Sequence, residues 1–263
     1  MTSYYFSSLI IFLIQFLSHV SSSFDQSHPI DFTYKNEKEW GKTYKTCSDG
    51  KNQSPININE KQSVLSKSLQ PLTRFYKPAT AFLVDNGVNI GVRYTSDHAS
   101  MIMDGKNYTM RLMHWHSPSE HRLNGVQYPL ELHMVHTAPD ESLAVVGILY
   151  QFGQPDQFIQ SINTSLTQLT QMVKEHKNPV EVSLGKLDTR LLGKKTNKYY
   201  RYNGSLTTPP CTESVIWTLL PRIKTVSEEQ VEAIKSPLTG EYKLNFRPVQ
   251  PLNGRQIQMY YTN

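Results

Sequence analysis

The sequence lacks the signatures of several common protein classes. It has no G-x-S-x-G motif, no Walker loop and no dinucleotide-binding fingerprint, so the usual nucleophilic and nucleotide-dependent schemes find no support. Its net charge of +5 is modest and its lysines are scattered, so we expect no nucleic-acid partner. Repeats, low-complexity linkers and shifts in composition are also missing, and 263 residues with 38% apolar content suffice for one sizeable core.

Long apolar runs are scarce. The apolar run at residues 9–17 is shorter than the roughly 20 residues that a membrane-spanning helix needs, and no later run is long enough either. Serines follow at 21–23, which predicts a cleaved signal peptide over residues 1–23, although no Lys or Arg precedes Lys35. We expect a mature domain over residues 24–263 that is secreted and has no membrane span.

The chain has only two cysteines, Cys47 and Cys211. In a secreted protein such a pair more often forms a disulfide than two free thiols. Closing so long a loop would contribute on the order of 4–5 kcal/mol in the chain-entropy model. The alternative is two unrelated buried thiols.

Secretion also makes N-glycosylation relevant. Acceptor patterns of the Asn-x-Ser/Thr type begin at Asn52, Asn107, Asn163 and Asn203. Asn52 is followed by Gln-Ser-Pro, and Asn203 adjoins a motif described below. We therefore predict Asn107 and Asn163 as the glycosylation candidates.

Apolar alternation predicts a mainly β domain. Residues 81–94 alternate on both sides of Asn86-Gly87, and residues 99–116 turn at Asp104-Gly105; both patterns favour hairpins. The continuous apolar run 143–151 predicts a strand in the middle of a sheet.

Helical periodicity is limited to two segments. Apolar residues recur at helical spacing over 156–176, and Ser227 opens a capping box that predicts a short helix through Ile234. Residues 24–51 are polar and aromatic without a clear period, so we expect them to wrap the surface.

Histidines are concentrated in residues 110–136. His114 and His116 are two apart in an apolar run, so on a strand both face the same side, and a second apolar run brings in His133. Three neutral imidazoles with an open fourth position form a catalytic zinc arrangement. The alternative is that these are satisfied core or surface histidines, the more frequent role of a lone histidine in a strand.

A second motif, GSLTTPPC at residues 204–211, carries two hydroxyls in a loop stiffened by two prolines. Alone it indicates a rigid turn. Together, HWHSPSEH, ELHMVH, GSLTTPPC, QSPINI and NFRPVQPLNGRQI resemble the alpha class of carbonic anhydrases in its plant form, in the same order from about Phe32 onward. The resemblance implies a large, mostly antiparallel twisted central sheet with a few short peripheral helices, and zinc-dependent reversible hydration of CO₂ to bicarbonate.

The resemblance also implies roles for individual residues. His114, His116 and His133 match the Zn²⁺ ligands, while Glu131 and the carbonyl of Asn245 match groups that hold the ring N–H groups of His133 and His116. The other two histidines of the cluster, His121 and His136, match buried structural residues.

The remaining matches concern the reaction itself. Thr207 matches the threonine that accepts a hydrogen bond from zinc-bound hydroxide, and Glu120 matches the buried acid that takes the threonine's proton. The resemblance makes Cys47 and Cys211 a disulfide that anchors the Thr207 loop. The apolar wall for CO₂ would be Val135, Val145, Leu206, Val215 and Trp217. Thr208 and Tyr34 would line the water network.

Two positions depart from the family pattern. Val88 stands where fast members carry a proton-shuttling histidine after Asn-Gly, which predicts turnover limited by proton export. Leu112 stands where the family places a glutamine that orients the first zinc histidine, a loss that typically costs roughly 10–100-fold in metal affinity or activity.

Three functions are compatible with these residues. The first is a secreted carbonic anhydrase acting on CO₂ and bicarbonate, as a monomer or homodimer. The second is a storage, nectar or binding protein with weakened activity, as in the plant dioscorins. The third is a zinc esterase. The resemblance to plant members implies the apoplast, or the chloroplast through the secretory route.

Overall fold

The structure, a computed structural model, describes residues 31–95, 99–175, 181–192 and 196–262. The predicted signal peptide at residues 1–23 lies outside these ranges. Phe32–Asn263 forms one compact unit. Among the described residues, no helix is long and apolar enough to cross a membrane.

Strands dominate the described part of the chain. In chain order they are β1 (Asn57–Ile58), β2 (Val64–Leu65), β3 (Thr73–Tyr76), β4 (Ala79–Asp85), β5 (Ile90–Tyr94), β6 (Ala99–Met103), β7 (Lys106–His116), β8 (Arg122–Leu123), β9 (Val126–Gln127), β10 (Leu130–Thr137), β11 (Leu143–Phe152), β12 (Glu181–Leu187), β13 (Lys198–Ser205), β14 (Glu213–Val226) and β15 (Gln258–Tyr261).

The described helices are short. They are α1 (Trp40–Thr43), α2 (Lys45–Asp49), α3 (Gln157–Ser161), α4 (Asn163–Lys174) and α5 (Glu228–Lys235), with 3₁₀ turns at Tyr34–Glu39, Glu60–Gln62, Thr189–Leu192 and Gly240–Lys243.

One large sheet has the strand order β12-β4-β5-β7-β10-β11-β14-β13-β15-β2, and β3 joins it through β6 and β7. Neighbouring strands are antiparallel except in the pairs β11–β14 and β15–β2. A small second sheet contains β1, β8 and β9. The predicted fold class, a large and mostly antiparallel sheet with few short helices, is confirmed.

Both predicted hairpins form where glycine permits positive φ. Gly87 lies between β4 and β5 with φ 78°, and Asp104 and Gly105 join β6 to β7 with φ 51° and 75°. Positive φ at two successive residues suits the twist of a tight hairpin. The predicted central strand is β11, and its first eight residues are all buried.

The helical prediction over residues 156–176 needs correction at one point. The segment is two helices, because Ile162 leaves helical geometry with φ −110° and ψ 4°. This break allows Phe158, Ile159 and Ile162 to enter the same core. The capping box of Ser227 and Gln230 is confirmed, with both reciprocal hydrogen bonds present.

In the described part of residues 24–51, most side chains are exposed or half-buried, as expected for a segment on the surface, but a few are buried. Short helical turns carry Tyr34, Trp40 and Cys47 into a second buried cluster with Cys211. Large aromatic side chains gain much from burial without any regular period, which is why periodicity did not reveal them.

Alternation along the central strands separates the main core from the opposite face of the sheet. Met113 and Trp115 of β7 and Leu132 and Met134 of β10 point into the core, which α3, α4 and α5 also cover. The residues between them therefore project from the other face. That face carries His114, His116 and His133.

Candidate metal centre

Two neighbouring strands bring three histidines together. His133 of β10 lies directly opposite His114 of β7, and His116 projects from the same face two residues along. One ring nitrogen from each lies within 4.8 Å of the others. The structure thus places the three predicted ligands at one point.

Burial lowers the pKa of all three imidazoles, that of His114 well below its usual value and that of His116 to about 4. Neutral rings keep a lone pair for a metal. Nε2 of His116 is buried and has no hydrogen-bond partner in the described part of the chain. Three neutral imidazole donors with such a nitrogen fit a zinc ion.

Two of the three rings are oriented by hydrogen bonds on their far side. Nε2 of His133 lies 2.8 Å from Oε1 of Glu131, and Nδ1 of His116 lies 2.5 Å from the carbonyl oxygen of Asn245. These contacts leave Nδ1 of His133 and Nε2 of His116 to face the centre.

His114 differs from the other two rings. Its Nδ1 is buried and has no hydrogen-bond partner within the described ranges. Leu112, two residues earlier on the same face, is buried and offers no acceptor. A buried polar atom without a partner costs free energy of about 1–3 kcal/mol.

Glu131 is the centre of a buried hydrogen-bond chain. Its Oε1 also contacts Nδ1 of His121 at 2.7 Å, and Nε2 of His121 contacts the hydroxyl of Tyr202 at 2.7 Å. Tyr202 continues to the hydroxyl of Ser54 at 2.9 Å. Although burial raises the pKa of Glu131, His121 and His133 hold it well below its usual value.

Sequence reasoning assigned nothing to Tyr202 or Ser54. The motif QSPINI contained Ser54, but only the fold shows that it faces the tyrosine. His136, which the resemblance placed among buried residues, is fully buried and lies 3.2 Å from the hydroxyl of Tyr76.

Glu120 and Thr207 adjoin the histidines. Oε1 of Glu120 accepts a hydrogen bond from the backbone N–H of Arg247 at 2.8 Å, and Oε2 lies 3.5 Å from Nε2 of His116. Burial raises the pKa of Glu120 to about 7, while His133, the Arg247 N–H and the Thr207 hydroxyl act in the opposite direction. A carboxyl with this pKa can hold or release a proton near neutral pH.

The sequence analysis assigned no role to Arg247, although the motif NFRPVQPLNGRQI contains it. Its guanidinium is fully buried and donates to the carbonyl oxygens of Cys47 at 2.9 Å and Ser54 at 3.0 Å. It also pairs with Glu37 at 3.1 Å. One residue therefore ties Glu120 to the amino-terminal helical turns.

The Thr207 loop is held at both ends. The N–H of Leu206 donates to the carbonyl of Thr212 at 2.9 Å, and Pro209-Pro210 is a cis bond. The predicted disulfide is confirmed: Cys47 of α2 is bonded to Cys211. The loop is therefore covalently attached to the amino-terminal segment.

Strand register assembles an apolar wall beside the histidines. Leu112, Val135, Val145 and Trp217 are successive partners across β7, β10, β11 and β14. Val215 lies two residues before Trp217 on the same strand and is fully buried. Leu206, half-buried, precedes Thr207 in the loop. The wall suits a small apolar molecule.

The water-network candidates occupy different surroundings. The Thr208 carbonyl accepts a hydrogen bond from the N–H of Cys211 at 2.9 Å. Tyr34 is buried, and burial, together with Glu120 and Tyr242, raises its pKa well above the usual value, so its hydroxyl stays protonated.

Val88 lies in the turn between β4 and β5. Its side chain packs against the cluster of Tyr34, Trp40 and the disulfide. Its carbonyl accepts a hydrogen bond from Nδ2 of Asn245 at 3.0 Å. An apolar side chain therefore stands at the position where the family pattern has an imidazole.

Comparisons with known proteins agree on one family. The model of the eukaryotic-type carbonic anhydrases matches residues 35–261. Alpha carbonic anhydrase 4 of Arabidopsis thaliana is 41% identical over 254 residues, covering 94% of this chain and 91% of the relative. A crystal structure of dioscorin complexed with ascorbate is similar with a TM-score of 0.82 and 32% identity, covering 89% of this chain and 97% of the other. The alpha carbonic anhydrase of Thermovibrio ammonificans with the inhibitor sulfanilamide is similar with a TM-score of 0.76 and 31% identity, covering 88% and 98%.

Proposed function

Since this chain belongs to the eukaryotic-type carbonic anhydrase family, we propose that it is a zinc enzyme that interconverts CO₂ and bicarbonate. The family is zinc-dependent, and the cluster of His114, His116 and His133 can hold a metal ion. The observation that carries the proposal is the convergence of the three imidazoles, those of His116 and His133 buried and that of His114 half-buried, beside Thr207 and Glu120.

Zinc, when bound, lowers the pKa of water to about 7, a value established for carbonic anhydrases themselves. The chain's own residues then have separate tasks. The Thr207 hydroxyl would donate its hydrogen bond to Glu120, so that its oxygen is left to accept one from the attacking oxygen. The attack is thereby directed toward the apolar wall of Val135, Val145 and Trp217. CO₂ has no charge and no hydrogen-bond donor, so this wall can hold it without leaving a polar group unsatisfied.

Transfer of the proton from the centre to bulk solvent is the step for which this chain has no histidine at position 88. After each turnover a proton must pass from the centre to bulk solvent. Valine cannot carry a proton, so we infer that exogenous buffer takes over this task and that turnover rises with buffer concentration. The buried, protonated Tyr34 contributes a hydrogen-bonding group to the water network but no proton acceptor near neutral pH.

The proposal is tested by measuring zinc content and CO₂ hydration of purified protein, before and after chelation. We expect one zinc per chain, hydration that is lost with the metal, and recovery when zinc is returned. Protein with no stoichiometric zinc, or hydration that is insensitive to chelation, would falsify the proposal.

A second candidate is a storage or binding protein in which activity has weakened. The similarity to dioscorin favours it, together with the unpartnered Nδ1 of His114 and the apolar Val88. Protein that binds zinc poorly and does not hydrate CO₂ would support this candidate. Ester cleavage without CO₂ hydration would support the zinc esterase instead.

We also propose that the protein works in the apoplast or in another compartment of the secretory route. The Cys47–Cys211 disulfide supports this, because disulfides persist in oxidising compartments. Fractionation of the tissue that expresses the protein tests the assignment, and a cytosolic location with reduced cysteines would contradict it.

A further inference from the structure

The outward face of β3 and β6 carries two large apolar side chains in contact with solvent. Phe75 of β3 is 50% exposed and Ile102 of β6 is 42% exposed. Thr73 is the direct partner of Ile102, so Phe75, two residues from Thr73, projects from the same face. The two side chains are diagonal neighbours, a spacing within reach of an aromatic ring. We call them the Phe75–Ile102 patch.

A glycosylation acceptor lies in register with this patch. Asn107 of β7 is exposed and is the direct partner of Ile102, while Thr109, the hydroxyl residue of the acceptor pattern, is the partner of Ser100. Asn107 and Thr109 therefore project from the same outward face as Phe75 and Ile102. Direct partners have Cβ atoms about 4.5–5.5 Å apart, so the first sugar on Asn107 starts beside Ile102.

We propose that Asn107 carries an N-linked glycan whose first N-acetylglucosamine covers the Phe75–Ile102 patch. The face of a pyranose ring is lined by C–H groups and packs on aliphatic and aromatic side chains, while its hydroxyl groups stay in water. Covering the patch removes apolar surface from water, which stabilises the folded state. The proposal rests on passage of the chain through the secretory route.

The other candidate acceptor provides an internal contrast. Asn163 is the first residue of α4, and no exposed large apolar side chain adjoins it in sequence. Among the described residues, none of the exposed large apolar side chains belongs to α4, so we expect a glycan at Asn163 to lack a comparable apolar contact. Asn107 and Asn163 should therefore differ in their effect on stability and not only in occupancy.

The test uses the full chain secreted from a eukaryotic host, with site occupancy determined by peptide mass and stability by thermal unfolding. We expect a glycan at Asn107, and a Tm lower by about 2 °C or more in Asn107→Gln and in Thr109→Ala. Thr109→Ser, which keeps the acceptor pattern, should keep both the glycan and the Tm.

Coupling between the glycan and the patch distinguishes contact from a general effect of glycosylation. In the double variant Phe75→Thr/Ile102→Thr, loss of the glycan should lower the Tm by less than half of the decrease seen when Phe75 and Ile102 are present. Asn163→Gln and Phe152→Thr are matched controls, because Phe152 is 52% exposed and belongs to a different strand, β11; neither should show coupling with Asn107. An unmodified Asn107, a chain retained in the cytosol, or equal Tm losses with and without the patch would each overturn the proposal.

Discussion

The two sides of the candidate metal centre are built differently. On the β10 side, Glu131 receives hydrogen bonds from His121 and His133, and the chain of contacts continues to Tyr202. On the β5–β7 side, Nδ1 of His114 has no hydrogen-bond partner among the described residues, and Leu112 lies before it. The contrast is between His133, which a carboxylate holds, and His114, which has no such partner; on the proposed function, orientation of His114 and proton export are the steps without a polar group.

The largest effect is expected on the polar side. Glu131→Gln removes the carboxylate that accepts from two rings, so zinc affinity should fall by roughly 10–100-fold. Competition with a chromophoric chelator measures this affinity. Glu181→Gln, on the edge strand β12 and paired with Arg93, contacts none of the three histidines, so this matched control should leave affinity unchanged. If both variants bind zinc equally well, Glu131 does not support the metal.

The next effect concerns the apolar side. Val88→His places a titratable group in the turn between β4 and β5, and kcat in weak buffer should rise by at least about tenfold. Concentrated buffer should reduce the difference, and Val88→Leu should behave as the parent. An unchanged kcat in weak buffer would show that proton export does not limit turnover.

A smaller gain in zinc affinity is expected from a change beside His114, the proposed ligand whose Nδ1 has no hydrogen-bond partner among the described residues. Leu112→Gln places an acceptor near Nδ1 of His114, so zinc should dissociate more slowly, with affinity higher by up to about tenfold. Leu112→Met keeps the volume without an acceptor and should leave the rate unchanged. Equal dissociation rates in all three proteins would mean that another group already orients His114.

The smallest expected effect is on the pH dependence of folding stability. It concerns Glu60, which lies outside the metal centre. Hydrogen bonds from Lys198, Tyr200 and Asn124 lower the pKa of Glu60 to about 2. The folded-state pKa is below the unfolded value, so this stabilisation is present above about pH 4.5 and is lost as the pH falls toward 2. Because Glu60 is partly exposed, the contribution is at most about 1 kcal/mol.

Thermal unfolding of Glu60→Gln tests whether the stabilisation by Glu60 decreases as the pH falls. The variant should have the lower Tm at pH 7, and the gap should narrow between pH 5 and pH 3. A gap that widens on acidification would contradict the assigned pKa shift. Zinc affinity at pH 7 should be the same in both proteins, since Glu60 is not among the residues of the metal centre.

Local patterns predicted much of the fold. Asn86-Gly87 and Asp104-Gly105 specify their turns through backbone conformation alone, and the Ser227 capping box uses groups within one turn of helix. The break at Ile162 was not predictable, because it depends on which side chains the core accepts. Pairing of β15 with β2 joins distant residues that show no local signal.

The site was predictable to a similar degree. Spacing alone suggested that His114, His116 and His133 share a face, and the β7–β10 register brings them together. The resemblance named Glu131 and Asn245, which lie in hydrogen-bond contact with two of the rings. Arg247 and Tyr202 were missed because a buried arginine or tyrosine becomes significant only once its partners, remote in sequence, are known.

Asn245 has a consequence for how enzymes of this kind can diverge. Its side chain holds the carbonyl of Val88 and the N–H of Ser117, while its own carbonyl orients His116. Asn245 thus anchors the backbone of residue 88 through its carbonyl group, a contact that does not depend on which side chain residue 88 carries. On the proposed function, exchange of the side chain at residue 88 would change proton export without displacing the ring of His116.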